Sequence, residues 1–222
     1  NHFNVFLCDR SSASDGGGTC IFVSKALISS LVPVKSVENF TNLEVTAVDV
    51  HISTSKYRLV NVYRRPSYSL DAINYAKEMV SALEFLSKVS WPVIITGDLN
   101  CPDVNWSSMN APRDRVQDVI VEFICDNNFE QLVIDNTRGS RVLDVVLTNN
   151  PFIVSDVRVS DPFSNSDHNR VEFLLDISKN KTVSNTSDDK GDKVYQDNKT
   201  YRQYKWSDAD FNAIGGYLLS VN

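Results

Sequence analysis

The chain has 222 residues, of which 42% are hydrophobic and 23% charged, and its formal net charge at pH 7 is −6. This length predicts one globular domain of ordinary size plus some additional chain. No apolar run is long enough to span a bilayer, so no membrane partner is expected. The acidic balance disfavours nonspecific DNA binding through a broad basic surface, but it is compatible with an acidic site that gathers a divalent cation.

The first third of the chain carries strand patterns. Short apolar strands are predicted at residues 3–8 and 19–24, on either side of a turn with three consecutive glycines. Residues 43–52 and 57–63 alternate between apolar and polar side chains, as half-buried strands do. This part of the chain is therefore predicted to be β-structure.

The remainder mixes helices and strands. Apolar residues at helical spacing predict one helix after Ser69 and a second from about residue 115 to 126. A short apolar strand at 93–95 separates them, and later strands are predicted at 131–134, 142–148, 155–160 and 169–177. Because strands outnumber helices, the expected fold class is an α+β sandwich and not a doubly wound parallel sheet.

Three segments differ in composition. Residues 1–178 are predicted to form the domain. Residues 179–203 contain almost no apolar side chains and are predicted to be a polar linker. Residues 204–222 are apolar again, and Ser207 with Asp210 three residues later is typical of a capping box at a helix start. This last segment is expected to begin a further domain.

Asp98 and Asn100 follow the apolar strand in the sequence GDLN. Side chains two residues apart on an extended chain point the same way, so both can face one site. Glycine, aspartate and asparagine also favour turns, and an Asx turn without chemical function is the alternative.

Asp144 is a carboxylate among apolar strand residues, and it would be costly to bury without a partner. His168 lies in the sequence SDHN just before a strand and is the obvious candidate, because an aspartate fixes the tautomer of a histidine and stabilises its cation. Asp167 beside it is compatible with a general base or a metal site. The alternatives are a structural histidine and a solvated edge-strand Asp144.

Further donors flank these strands. The strand in the sequence LVNVYRRP ends with Tyr63, Arg64 and Arg65 before Pro66. Their hydroxyl and guanidinium donors suit phosphate oxygens, although arginines also protect exposed strand ends. Arg138 and Arg141 flank a Gly-Ser turn and contact either a DNA backbone or, as we favour, only solvent.

Four segments in this order, VNVYRRP, GDLNCPDVNW, SRVLDVVLTNNP and SDHNRVEFLL, closely resemble the endonuclease/exonuclease/phosphatase superfamily, in the form found in non-LTR (LINE-type) retrotransposons. The resemblance covers about residues 3–178. It implies a four-layered αββα sandwich and metal-dependent phosphodiester hydrolysis with Mg²⁺ or Mn²⁺. It also implies DNA as substrate, with element RNA and a reverse transcriptase domain as partners in a parent polyprotein.

The resemblance also implies roles for individual residues. His168 matches the general base and Asp144 the carboxylate that orients it. Asp98 and Asn100 match the pair that positions the water and contacts the scissile phosphate. Tyr63 matches the tyrosine that supports the phosphate in the transition state.

Asp167 matches an acidic residue at or near the metal, and Arg65, Arg138 and Arg141 are weaker candidates for phosphate or DNA contact. The family also begins with a strand carrying an asparagine, followed by a metal-binding glutamate, and neither is found here. The expectation is an N-terminally incomplete domain that lacks the first strand or strands. The alternatives to a DNA-nicking enzyme are an inactive remnant that acts as a binding module and a phosphatase acting on lipid or inositol phosphates.

Overall fold

In the computed structural model, the described residues are 2–10, 17–34, 43–66, 70–113 and 115–176. The predicted linker and the segment after it lie outside them. A six-stranded mixed sheet forms the centre, with the strand order β3-β4-β5-β6-β8-β7. The strands are β3 (Ile28–Leu31), β4 (Glu44–Ile52), β5 (Ser55–Tyr63), β6 (Val93–Asp98), β7 (Glu130–Gln131) and β8 (Asp144–Thr148).

Two helices cover one face of this sheet. Helix α1 (Leu70–Ser87) connects β5 to β6, which pair in parallel and therefore need a crossover. Helix α2 (Val116–Asp126) packs beside it. Their apolar stripes bury the sheet side chains that point this way, including Val45, Ala47, Val60, Val62, Val93, Ile95, Val145 and Leu147. Neither described helix has the length and apolarity needed to cross a membrane.

Two antiparallel ribbons cover the opposite face. One pairs β1 (Phe3–Cys8) with β2 (Thr19–Ser24), and the other pairs β9 (Val154–Ser160) with β10 (Arg170–Leu175). Alternate strand residues such as Val48 and Ile94 pack beneath them. The predicted α+β sandwich is confirmed, and three of the four layers implied by the resemblance are formed by the described residues.

Three of the differences between the predicted and the observed strands have a local structural cause. Strand β3 was not predicted, because its two serines and exposed Ile28 and Leu31 give no buried face. The strand expected at 131–134 ends at Gln131, whose side chain bonds the backbone of Val133 instead. Strand β8 begins at Asp144 and not at 142, because the hydroxyl of Thr137 accepts the backbone N–H groups there.

Candidate active site

One end of the central sheet presents a row of polar side chains. The strand register places Glu44 opposite Tyr63, Tyr63 opposite Asp98, and Asp98 opposite Asp144. All four follow the alternation that faces the ribbons, and adjacent positions are separated by about 4.8 Å, the spacing between paired strands. Four side chains that are far apart in sequence are thus neighbours on one surface.

Gly97 allows β6 to approach β5 at this end. Its φ of +136° is a value that residues with a side chain rarely adopt, and a Cβ atom there would lie 1.8 Å from the carbonyl oxygen of Val62. The chain then turns, with Asn100 in the left-handed region at a φ of +48°. The N–H of Asn100 donates to Oδ1 of Asp98 at 2.8 Å. The Asx turn expected as an alternative is therefore present, and it holds Asp98 at the mouth of the strand.

His168 lies over this row, in the loop before β10. Its Nδ1 is 2.8 Å from Oδ2 of Asp144, and its Nε2 is 4.0 Å from Oδ2 of Asp98. A hydrogen on Nδ1 satisfies the carboxylate of Asp144 and leaves the lone pair of Nε2 directed toward Asp98. The site therefore contains an oriented imidazole whose free nitrogen faces a second carboxylate.

Thr137 connects the loops that carry this pair, a role that was not predicted from the sequence. Its hydroxyl accepts from the N–H of Leu143 at 2.9 Å and of Asp144 at 3.1 Å. Its carbonyl accepts from the N–H of Asn169 at 2.7 Å, next to His168. Thr137 is fully buried, so it fixes the backbone on both sides of the Asp144–His168 contact.

Asp98 has an unusual environment. Its side chain is only 15% exposed. Burial is the largest influence and, with the nearby charge of Asp144, it raises the pKa of Asp98 to about 6, against the hydrogen bond from Asn100 and the attraction of His168 and Arg64. Asp98 therefore changes protonation near the pH at which a catalytic group is useful.

Asn100 is buried and its amide is engaged. Its Nδ2 donates to the carbonyl of Arg64 at 2.8 Å and to Oδ2 of Asp98 at 2.9 Å. Arg64 in turn is 3% exposed and donates to the carbonyls of Leu99, at 2.5 Å, of Asn100, and of Arg65, at 3.0 Å. In this structure Asn100 orients Asp98, and Arg64 holds the turn that carries both.

Arg65 and Glu44 form a second arrangement next to Tyr63. Arg65 Nε donates to Oε1 of Glu44 at 2.9 Å, and the guanidinium of Arg10 also binds this carboxylate. Neither Glu44 nor Arg10 was predicted from the sequence to be a site residue. The signal available was the alternation of β4, which places a charged residue on the ribbon face at the start of the strand.

Asp167 lies outside the group formed by Asp98, Asp144 and His168. Its side chain is 69% exposed and pairs with Arg138. Arg141 donates to the carbonyl of Pro102 and lies 3.9 Å from Asp103. Both arginines, expected to contact DNA or only solvent, are partly exposed and contact neighbouring loops.

Asp98, Asp144 and His168 form the one group within the described residues that could hold a metal ion, with one ligand atom from each within 4.8 Å of the others. Mg²⁺ is commonly bound through one or two carboxylates together with water and substrate phosphate. The two carboxylates fit such a weakly held cation. Asp167 does not contribute to this group, and Glu44 is already neutralised by arginines.

The comparisons with known proteins point to one family. Residues 57–172 match the family model described as endonuclease-reverse transcriptase. Among solved structures, the chain is similar to the endonuclease domain of TRAS1, a telomere-specific non-LTR retrotransposon, with a TM-score of 0.58 and 18% identity over 81% of this chain and 82% of that chain. It is also similar to the human Nocturnin catalytic domain with bound sulfate anion, with a TM-score of 0.53 and 14% identity over 78% of this chain and 73% of that one. These structural likenesses show the fold, and no curated protein matches the chain.

Proposed function

Because the chain belongs to the endonuclease-reverse transcriptase family, we propose that it is a metal-dependent endonuclease that nicks DNA by hydrolysing a phosphodiester bond. The single observation that carries the proposal is the imidazole of His168, held by Asp144 on one side and facing Asp98 on the other. An imidazole oriented in this way is suited to remove a proton from water.

In the proposed mechanism, Nε2 of His168 takes the proton of the attacking water. Asp144 holds the imidazole and stabilises the imidazolium that results. Asp98, ionised and 4.0 Å from Nε2, orients the water for in-line attack. Asn100 keeps the Asp98 carboxylate in place through its backbone and side-chain hydrogen bonds.

Tyr63 stands beside Asp98 in the strand register and is proposed to contact the non-bridging oxygens of the phosphate. Asp98 and Asp144 would hold a divalent cation, Mg²⁺ or Mn²⁺, which would supply stabilisation of charge on the phosphate and the leaving oxygen. Solvent contact was favoured from the sequence for Arg138 and Arg141. Because both lie on a short hairpin beside the His168 loop and are partly exposed, we propose instead that they contact the DNA backbone. We propose that Asp167 acts by holding Arg138.

The substrate and context are inferred from the family and from the similarity to a retrotransposon endonuclease domain. We propose that residues 1–178 act on genomic DNA within a polyprotein. Residues 179–203 would then link this domain to a reverse transcriptase, which uses element RNA.

The direct test is nicking of supercoiled plasmid with Mg²⁺, with Mn²⁺ and with EDTA. His168→Ala should lower the nicking rate by at least about three orders of magnitude, the size of effect seen when a general base is lost from such a pair. His51→Ala is the matched control, because His51 is exposed at the other end of β4 and should leave the rate unchanged. Equal nicking by the wild-type and His168→Ala proteins would refute the assignment. Release of phosphate from inositol phosphates in place of nicking would indicate a phosphatase.

A further inference from the structure

A buried carboxylate bound by two arginines borders the candidate active site. The side chain of Glu44 is 1% exposed. Its Oε1 accepts from Nε of Arg10 at 2.8 Å and from Nε of Arg65 at 2.9 Å, and its Oε2 accepts from Nη2 of Arg10 at 3.2 Å and from the N–H of Gly18 at 2.5 Å. We call Arg10, Glu44 and Arg65 the arginine clamp.

The clamp carries more positive charge than its buried group requires. Burial works against ionisation of Glu44, but the hydrogen bonds from Arg10, Gly18 and Arg65 outweigh it and lower the pKa of the carboxyl group. One ionised glutamate is neutralised by one arginine, so the second leaves one net positive charge. In a chain with a formal charge of −6, this local excess beside the site favours an anion.

The two guanidinium groups are within reach of a ligand at the site. The side chain of Arg65 is 38% exposed and that of Arg10 is 18% exposed. The Cζ atom of Arg10 lies 6.0 Å from the centre of the Tyr63 ring. The clamp therefore adjoins the position at which the scissile phosphate is expected.

The strand register sets the separation between the clamp and the catalytic carboxylate. Glu44 is opposite Tyr63 and Tyr63 is opposite Asp98, so Glu44 and Asp98 are two strand spacings apart, or about 10 Å. Phosphates recur about every 3.4 Å of rise along one strand of DNA. A strand whose phosphate lies at Asp98 can thus present another phosphate to the clamp within about three nucleotides.

We propose that Arg10 and Arg65 bind a phosphate of the cleaved strand within about three nucleotides of the scissile one, and that Glu44 is a positioning residue that holds both guanidinium groups. This assignment rests on the proposed endonuclease function. It adds a binding subsite that selects a substrate with several consecutive phosphates over an isolated phosphate ester. Glu44 also joins the ribbon of β1 and β2 to the central sheet, and a purely structural role is the competing explanation.

The first experiment measures binding of a short fluorescent DNA duplex to the His168→Ala protein over a range of salt concentrations. Arg10→Gln and Arg65→Gln in this background should each weaken binding about tenfold, as expected for loss of a charged hydrogen bond. Each should also reduce the slope of log K against log salt by about 0.9, the value for one lost phosphate contact. Arg158→Gln is the matched control: Arg158 is an exposed arginine on the ribbon of β9 and β10 that pairs with Asp156, and its loss should change neither quantity.

The second experiment separates positioning from simple charge. Glu44→Gln raises the net charge of the clamp, so electrostatic attraction alone predicts tighter DNA binding. If Glu44 instead positions the two guanidinium groups, DNA binding should weaken, and the KM for nicking should rise several-fold with kcat nearly unchanged. Thermal unfolding reports whether the variant folds. If it does not fold, the salt slopes of the two arginine variants still decide whether the clamp binds a phosphate, because both arginine side chains are partly exposed and their replacement should leave the fold intact.

The outcomes distinguish this inference from the proposed function. Nicking that depends on His168, combined with unchanged salt slopes in both arginine variants, would overturn the clamp and leave the endonuclease assignment intact. Salt slopes that fall as expected in a protein without nicking activity would support the clamp and overturn the catalytic assignment. A wild-type protein that binds no DNA even at low salt would overturn both.

Discussion

Replacing Asp98 by asparagine should stabilise the folded domain at neutral pH and have little effect on its stability at about pH 3. Burial raises the pKa of Asp98 to about 6 from an ordinary value of 3.8. Between these two values the folded protein holds a proton that the unfolded chain has released. The free energy of unfolding therefore falls as the pH rises through this window, and the loss is complete above the folded pKa.

The magnitude follows from the same shift. A pKa change from 3.8 to about 6 corresponds to about 3 kcal/mol of differential interaction. Solvent reaches part of the group, and the asparagine would lose one acceptor for Asn100, so the expected net gain is roughly 1–2 kcal/mol. For a domain of this size, that gain raises Tm by about 3–6 °C.

The assay is thermal unfolding followed by circular dichroism from about pH 3 to about pH 8. EDTA is present because a bound cation would itself stabilise ionised Asp98. Asp98→Asn and the wild type should unfold together at about pH 3, diverge progressively between about pH 4 and about pH 6, and keep a constant difference at higher pH. Asp135→Asn, which alters an exposed carboxylate, should show no such divergence. A difference between Asp98→Asn and wild type that is constant across the range would refute the reasoning. The stabilised variant should also have lost nicking activity.

Three further substitutions test the supports of the site. Asp144→Asn should reduce the nicking rate by roughly 10³–10⁴-fold with little change in KM, because the histidine loses its tautomer and orientation. Single-turnover kinetics measure the rate, and a loss of less than about tenfold would contradict the proposed role of Asp144. Arg64→Lys should lower the free energy of unfolding by about 2–3 kcal/mol, measured in urea, because the three carbonyls are bound by three different nitrogens of the guanidinium and a single ammonium nitrogen cannot reach all of their positions. Arg158→Lys is the control and should have almost no effect. Thr137→Val should lower the free energy of unfolding by about 1–3 kcal/mol, because two N–H groups lose their acceptor, and it should also lower kcat. Thr137→Ser keeps the hydroxyl and should retain both the stability and the kcat of the wild type. Equal behaviour of the two variants would exclude the hydroxyl as the cause.

Much of the fold could be predicted because its strands are buried on regular faces. The alternation of β5 and the helical spacing in α1 and α2 predict elements that the structure contains. The contact between Asp144 and His168 was also predictable, because a carboxylate among apolar residues needs a partner. The edge strand β3 was not, because exposed edge strands carry no such pattern.

The supports of the site could not be read from the sequence for a different reason. Thr137 and Glu44 act through contacts with residues far along the chain, and such contacts leave no local signature. The two arginines after Tyr63, in contrast, could be told apart from the sequence. Continuing the alternation of β5 places Arg64 on the side of Val62, toward the helices, and Arg65 on the side of Tyr63. The structure buries Arg64 and leaves Arg65 partly exposed. The alternation of the strand therefore indicates which of the two arginines is accessible to a phosphate.

The row formed by Glu44, Tyr63, Asp98 and Asp144 has a consequence for how such a domain can change. Its spacings are set by backbone hydrogen bonds between four strands, so insertions or deletions in the surface loops leave them intact. A slip of a single position in any one strand would turn its polar side chain into the apolar layer beneath the helices. The loops around this row can therefore vary in length and sequence, whereas the strands that carry the row tolerate almost no change in register.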